Sequence, residues 1–197
     1  MHKPKTYTVF AGVNGAGKST FHRVLKRDFG IRINVDEIIR EQFNNDWSNP
    51  QIQMNAGRIA IRLINESLKG DTSFNQETTL TGRTIITNIK KAKANGFEVV
   101  LYYVGLESVG LSIERVAIRV ANGGHGIPVE DLQRRYSNSF ENLKLVMPLC
   151  DKVYIYDNST DNTRGGFNPL IIIQNGKVVL LDKRCPQYLK DVLDVLP

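Results

Sequence analysis

The chain has 197 residues, 41% of them apolar and 23% charged, and its formal net charge is +6. That is room for one domain with a sizeable core, in the composition of an ordinary globular chain rather than a disordered or fibrous one. The basic residues are scattered, in pairs such as Lys90-Lys91 and Arg134-Arg135 with no aromatic-basic stripe, which argues against nucleic acid and for a positive pocket that receives phosphates. No apolar run reaches membrane-spanning length, and Met1–Pro4 opens no signal-peptide core. Cys150 and Cys185 have neither metal-ligand nor disulfide-framework spacing, which suits a reducing cytoplasm.

Thr6–Ala11 reads as a short β-prone run. Directly after it, Gly12-Val13-Asn14-Gly15-Ala16-Gly17-Lys18-Ser19-Thr20 fits G-x-x-x-x-G-K-[ST], the phosphate-binding loop. Glycines let such a backbone curl round a phosphate and aim its N–H groups inward, in conformations that a Cβ disfavours. Lys18 would reach the β- and γ-phosphates, and the Ser19 hydroxyl would ligate Mg²⁺. Ser19–Lys26 continues as a helix, so strand, loop and helix stand in the order the motif demands. The expected ATP contacts are Gly12, Asn14, Gly15, Ala16, Gly17, Lys18, Ser19 and Thr20.

Ile31–Val35 alternates apolar and polar as a second strand ending at Asp36, with a short amphipathic helix over Glu37–Phe43. Asn44–Pro50 is a polar loop with the sole tryptophan, Trp47. Gln51–Lys69 is helical and stops at Gly70; Asp71–Thr79 is a weaker strand; Arg83–Asn95 is a helix ended by Gly96. Phe97–Val104 is the clearest buried strand. Glu107–Asn122 is helical, with Ile113, Val116, Ala117 and Val120 on one face, and a longer helix runs from Val129 to about Leu149 beyond the Gly123–Pro128 turn. Lys152–Tyr156 is a strand, Asp161–Phe167 a polar loop, and Leu170–Gln174 with Lys177–Leu181 a hairpin through Asn175-Gly176; a short helix follows Pro186. The expected fold is α/β and P-loop NTPase-like: a doubly wound, mostly parallel sheet with helices on both faces and a C-terminal β-hairpin. One domain is expected over residues 1–197, with a helical lid region at about 107–149 and the hairpin at about 168–183.

Asp36 stands where a strand runs out, near the sheet edge where ligands bind in open α/β folds. A carboxylate there either orients an acceptor hydroxyl and takes its proton, or caps the following helix; the two roles are compatible. Glu77 ends the third strand with Thr78, Thr79 and Thr81 behind it, which suits either a sugar with several hydroxyls or an ordinary exposed strand end. Arg115, Arg119, His125, Arg134 and Arg135 surround a Gly-rich turn between two helices, either as a lid over a triphosphate or as a solvated basic face. Arg115 and Arg119 lie one helical turn apart and share a face. No Asn-Lys-x-Asp base-reading element and no hydrophobic-Asp-Glu pair is present, and the histidines lack ligand spacing. Together these absences point to a small kinase.

The series Gly12–Thr20, Asn34-Val35-Asp36-Glu37-Ile38, Glu77-Thr78-Thr79-Leu80-Thr81-Gly82, Gly123–Pro128 and Tyr156-Asp157-Asn158-Ser159 resembles the zeta toxin family, P-loop kinases of bacterial toxin–antitoxin systems. The resemblance implies ATP- and Mg²⁺-dependent phosphorylation of the amino sugar of UDP-N-acetylglucosamine on its 3′-hydroxyl, with an antitoxin protein as a further partner. Lys18 and Ser19 match the phosphate and magnesium positions, and Asp36 matches the catalytic base. Glu77 and Thr79 match substrate-binding positions, and Arg83 just beyond them is taken, with Asp36, as a further substrate contact. Of the lid arginines that the family places on the γ-phosphate, Arg119 and Arg134 are chosen here, although His125 lies near where one of them falls. Another nucleotide, nucleoside or antibiotic as acceptor, and a nucleotide-dependent binding module acting through a protein, are the alternatives.

Overall fold

The computed structural model describes residues 4–160 and 168–196. In chain order these form β1 (Thr6–Gly12), α1 (Lys18–Val24), β2 (Ile31–Ile33), α2 (Val35–Gln42), α3 (Pro50–Lys69), β3 (Phe74–Thr78) and α4 (Thr84–Ala94). The second half supplies β4 (Glu98–Gly105), α5 (Val109–Ala121), α6 (Val129–Val146), β5 (Lys152–Asp157), β6 (Ile171–Gln174), β7 (Lys177–Leu181) and α7 (Gln187–Lys190). The expected polar loop Asp161–Phe167 lies outside the described residues. No helix among the described residues is long and apolar enough to cross a membrane.

The strands make one sheet in the order β2-β3-β1-β4-β5-β6-β7. β1 to β5 run parallel, β6 runs antiparallel to β5, and β7 runs antiparallel to β6. The order reverses at β1, which sits between β3 and β4, so the crevice at the carboxyl ends of these strands is where such a fold binds ligands. β1 and β4 are buried on both faces and read as nearly continuous apolar runs, as central parallel strands do. One face carries Tyr7, Val9, Leu101, Tyr103 and Ile155 into a core closed by α3, α4 and α6. The other is aromatic: Phe10, Tyr102 and Tyr154 stack across three strands at 5.2 and 5.0 Å, and Phe21 of α1 covers them. The hairpin turns on Asn175 and Gly176, both at positive φ, the geometry its two-residue sequence prescribes.

Two local expectations need correction. Asn34, not Asp36, caps α2: its Oδ1 accepts from the Asp36 N–H at 2.8 Å, which draws Val35 and Asp36 into the first turn of the helix. On α5 the inward residues are Ser112 and Val116, whereas Ala117 and Val120 face solvent. The reason is what α5 packs on. Ser112 Oγ donates to the Asn14 carbonyl at 2.7 Å, so the helix turns a polar stripe toward the phosphate-binding loop.

β2 contributes only three residues and depends on its entry turn. Gly30 has φ +77, Ile31 N–H donates to the Ser73 carbonyl at 3.0 Å, and a Cβ on Gly30 would run into that same carbonyl. Gly30→Ala is expected to cost about 2 kcal/mol or more, through left-handed backbone strain and a displaced strand junction. Thermal unfolding should then fall by about 4–8 °C, and an unchanged midpoint would mean that the junction relaxes freely.

Candidate active site

The loop between β1 and α1 forms the floor of a cleft of about 860 Å³. Gly17 adopts φ +84 at the head of α1, a conformation an L side chain resists, and the loop folds back with Ala16 N–H donating to Val13 O at 3.3 Å. Asn14, Gly15, Gly17, Lys18, Ser19 and Thr20 line the cleft. Gly12 and Ala16 lie behind it: Gly12 ends β1, and the buried Ala16 accepts at its carbonyl from Asn158 Nδ2 at 3.0 Å. Lys18 is buried, and its Nζ donates to Val13 O at 3.0 Å. Burial lowers the ammonium pKa, against which the carboxylates of Glu77 and Asp36 act to keep it charged.

The two carboxylates differ in their surroundings. Glu77, near the end of β3, is 9% exposed in its side chain. Its Oε1 accepts from Ser19 Oγ at 2.8 Å, and its Oε2 accepts from Arg32 Nη2 at 2.6 Å and Asn34 Nδ2 at 2.9 Å. Arg32 donates also to Glu37, at 3.0–3.2 Å, so one guanidinium balances two acids. Asp36, by contrast, is exposed on the first turn of α2 and lines the cleft, and its carboxylate forms no hydrogen bond or ion pair with the described residues. Its charge is felt across the cleft by Lys18, Arg119 and His125.

α5 and α6 form the opposite wall. Arg115, Arg119, Arg134 and Arg135 all line the cleft. Arg119 Nη2 donates to the His125 carbonyl at 2.9 Å, while its Nε is buried with no partner among the described residues. Arg134 sits at the rim, mostly exposed and paired with Asp131 at 2.6 Å. Thr79 and Thr81 also line the cleft, with hydroxyls 3.1 Å apart. Arg83 does not join them. Leu80 turns the chain at φ +60 and is fully buried, its carbonyl accepting from Asn142 Nδ2, so Arg83 opens α4 beside Ile61 and Asn65 in a separate shallow hollow.

Lys18, Arg115, Arg119, Arg134 and Arg135 all line the one cleft above the loop, and the buried Arg119 Nε is a donor with no acceptor among the described residues: the arrangement fits a polyphosphate. Among the described residues no group of three or more His, Cys, Asp or Glu could hold a metal alone. Ser19 Oγ beside Glu77 Oε1 is an oxygen pair that suits Mg²⁺, a cation that takes its other ligands from phosphates and water.

Residues 2–165 match the family described as Zeta toxin. The chain belongs to the zeta toxin family. Membership supports a nucleotide-dependent, kinase-like activity for this zeta toxin chain. An uncharacterized protein of Haemophilus influenzae is 38% identical over 128 residues, covering 64% of this chain and 89% of that protein. A structure from the PezAT chromosomal toxin–antitoxin system of Streptococcus pneumoniae superposes with a TM-score of 0.59 at 18% identity, covering 99% of this chain and 79% of that one. The AvrRxo1-ORF1:-ORF2 complex with ATP gives 0.65 at 14% identity, over 98% of this chain and 64% of that one. At such identities these two likenesses speak for the fold, the P-loop kinase-like doubly wound sheet.

Sequence reasoning gave no role to three residues that hold this zeta toxin site together, although Asn34 and Asn158 stand in the motifs quoted above. Arg32 and Asn34 fix Glu77, and Asn158 ties the end of β5 to the loop. The signal for Asn34 was present, since Asn is a favoured cap just before a helix. Nothing in local spacing announces the Arg32–Glu77 pair, which joins neighbouring strands remote in sequence.

Proposed function

We propose that this protein is a small-molecule kinase that transfers the γ-phosphoryl group of ATP to a hydroxyl of UDP-N-acetylglucosamine. The observation that carries the reading is the Asp36 carboxylate, unpaired among the described residues and lining the same cleft as the buried Lys18 ammonium and Arg119, whose Nε has no partner among them. In the proposed reaction the acceptor oxygen forms the new bond to the γ-phosphorus, Asp36 takes the hydroxyl proton, and the bond to the bridging oxygen breaks to release ADP. Lys18 and Arg119 neutralise charge on the transferred group, with Arg134 at the rim able to join them when the lid, residues 107–149, closes. Bound Mg²⁺ supplies further neutralisation of the phosphates, and Ser19 and Glu77 are the residues that would hold it. Thr79 and Thr81 offer hydroxyls to the sugar. Residues 1–197 are read as one catalytic unit that works in the cytoplasm, where ATP and nucleotide sugars are found. Because the neighbour from Streptococcus pneumoniae comes from a toxin–antitoxin system, an antitoxin is proposed as the protein partner.

The test is transfer of label from γ-labelled ATP, with Mg²⁺, to a panel of acceptors headed by UDP-N-acetylglucosamine. Label is expected on that nucleotide sugar and is expected to vanish with Lys18→Ala. Label on a different nucleotide, nucleoside or drug keeps the kinase and retires the sugar nucleotide. ATP bound without any transfer would favour a binding module.

A further inference from the structure

Trp47, the only tryptophan of the chain, stacks on His125 with ring centroids 4.0 Å apart and planes 14° from parallel. The two rings come from opposite walls of the cleft. Trp47 belongs to the α2–α3 loop on the Asp36 side, and His125 belongs to the turn between α5 and α6. The loop is firmly built. Asn44 and Asn45 take left-handed conformations, Trp47 N–H donates to Asn45 O at 2.9 Å, and Gln53 Nε2 donates to the Trp47 carbonyl at 2.8 Å. The turn opposite is rich in glycine, at 123, 124 and 126, and is exposed on both sides of the half-buried His125. Its folded-back form depends on Gly124 N–H donating to Arg119 O, and on Arg119 Nη2, which donates to the His125 carbonyl and lies 3.3 Å from its Nε2. A stacked aromatic pair contributes more than burial alone, and here it joins a hydrogen-bonded loop to a glycine-rich turn.

We propose that Trp47 is a positioning residue: by stacking on His125 it latches the α5–α6 turn across the cleft and thereby sets the Arg119 guanidinium where the triphosphate binds. The inference rests on the kinase reading for its consequence, but the latch itself is a property of the protein alone. Trp47 lines the cleft, and its route to the reaction in this proposal runs through His125 to Arg119. Opening the stack frees the turn for entry of the acceptor, and closing it restores the arginine.

The sole indole reports the latch directly. In the full-length protein, His125→Ala is expected to shift Trp47 emission to the red and to raise its quenching by acrylamide, whereas His125→Phe, which can stack, leaves both near wild type. Emission and quenching indifferent to His125→Ala would overturn the latch, whatever the enzyme's acceptor proves to be. The kinetic arm uses ATP·Mg²⁺ and UDP-N-acetylglucosamine. Trp47→Ala is expected to lower kcat about tenfold with the KM for ATP little changed, as misplacement of a remote charge does. Trp47→Phe should recover most of that loss. In the background of Arg119→Ala, Trp47→Ala should cost little more, because its route to the reaction has gone. A full additional tenfold loss in the double variant, or a Trp47→Phe enzyme as slow as Trp47→Ala, would overturn the positioning role. If wild-type protein transfers no phosphate at all, the kinase reading fails, and the emission arm still decides the latch.

Discussion

Asp36→Asn is expected to reduce phosphoryl transfer about 10³-fold, in the range that loss of a general base produces. That corresponds to about 4 kcal/mol of transition-state stabilisation. ATP affinity should stay within about twofold of wild type, because the change removes chemistry rather than binding. The structure separates these effects cleanly. Asn34 and not Asp36 caps α2, so the cap hydrogen bond survives the change. The Asp36 carboxylate has no hydrogen-bonded partner among the described residues to orphan, so the amide enters at little folding cost beyond the loss of a first-turn anion from the helix dipole. Removing an anion from the cleft that receives a triphosphate would, by its sign, strengthen ATP binding rather than weaken it. Single-turnover transfer and equilibrium binding of ATP, measured on the same preparation, check both halves. Near-normal transfer would take Asp36 out of the base role. A parallel loss of ATP affinity would make it a binding residue instead.

The P-loop was legible because its chemistry is local: strand, glycine loop, lysine and helix follow one another, and the structure keeps that order in β1, Gly12–Gly17 and α1. The parallel sheet was legible from alternation of strands and helices, and the hairpin from Asn175-Gly176. What could not be read were facings and partners. Helical spacing gave α5 an apolar stripe of Ile113, Val116, Ala117 and Val120, yet Ala117 and Val120 are in solvent because the P-loop claims the stripe of Ser112, Arg115 and Arg119. Periodicity measures how residues group round a helix, and only tertiary contact decides which group turns inward. Arg83 was drawn to the cleft by its nearness to Thr79 and Thr81; one left-handed residue, Leu80, sends the chain elsewhere.

The chain beyond residue 165 lies outside the family match, but it is not an appendage. Leu189 and Val192 are buried in the main core. Tyr188 donates to Asp157 Oδ1 at 2.7 Å, and that carboxylate also accepts from the Ser159 N–H at 2.9 Å. Asn158 between them reaches the P-loop carbonyl of Ala16. The C-terminal segment therefore braces the end of β5 and, through it, the loop on which the triphosphate would lie.

Glu77→Ala carries the other large expected effect, and here structure and chemistry have to be told apart. The side chain balances Arg32, accepts from Asn34 and fixes the Ser19 hydroxyl. Breaking a buried ion pair costs about 3–5 kcal/mol when a charge is left alone. Arg32 keeps Glu37, to which it donates through both Nε and Nη2, so a smaller loss of about 2 kcal/mol is expected. Thermal unfolding should fall by about 4–8 °C and the protein should remain folded at room temperature. Transfer should nevertheless be abolished, because Ser19 loses its neighbour and the phosphate side of the cleft loses the carboxylate proposed for Mg²⁺. Glu77→Gln separates the two roles. Its amide oxygen and nitrogen can meet the same partners in the same volume, so most of the stability should return. The weaker charge should raise the Mg²⁺ concentration needed for half-maximal transfer by about tenfold or more, since Mg²⁺ is held through only one or two carboxylates. If Glu77→Gln instead restores both stability and an unaltered Mg²⁺ requirement, the residue is a brace for Arg32 and Ser19, and the cation must be held by Ser19 and the phosphates alone.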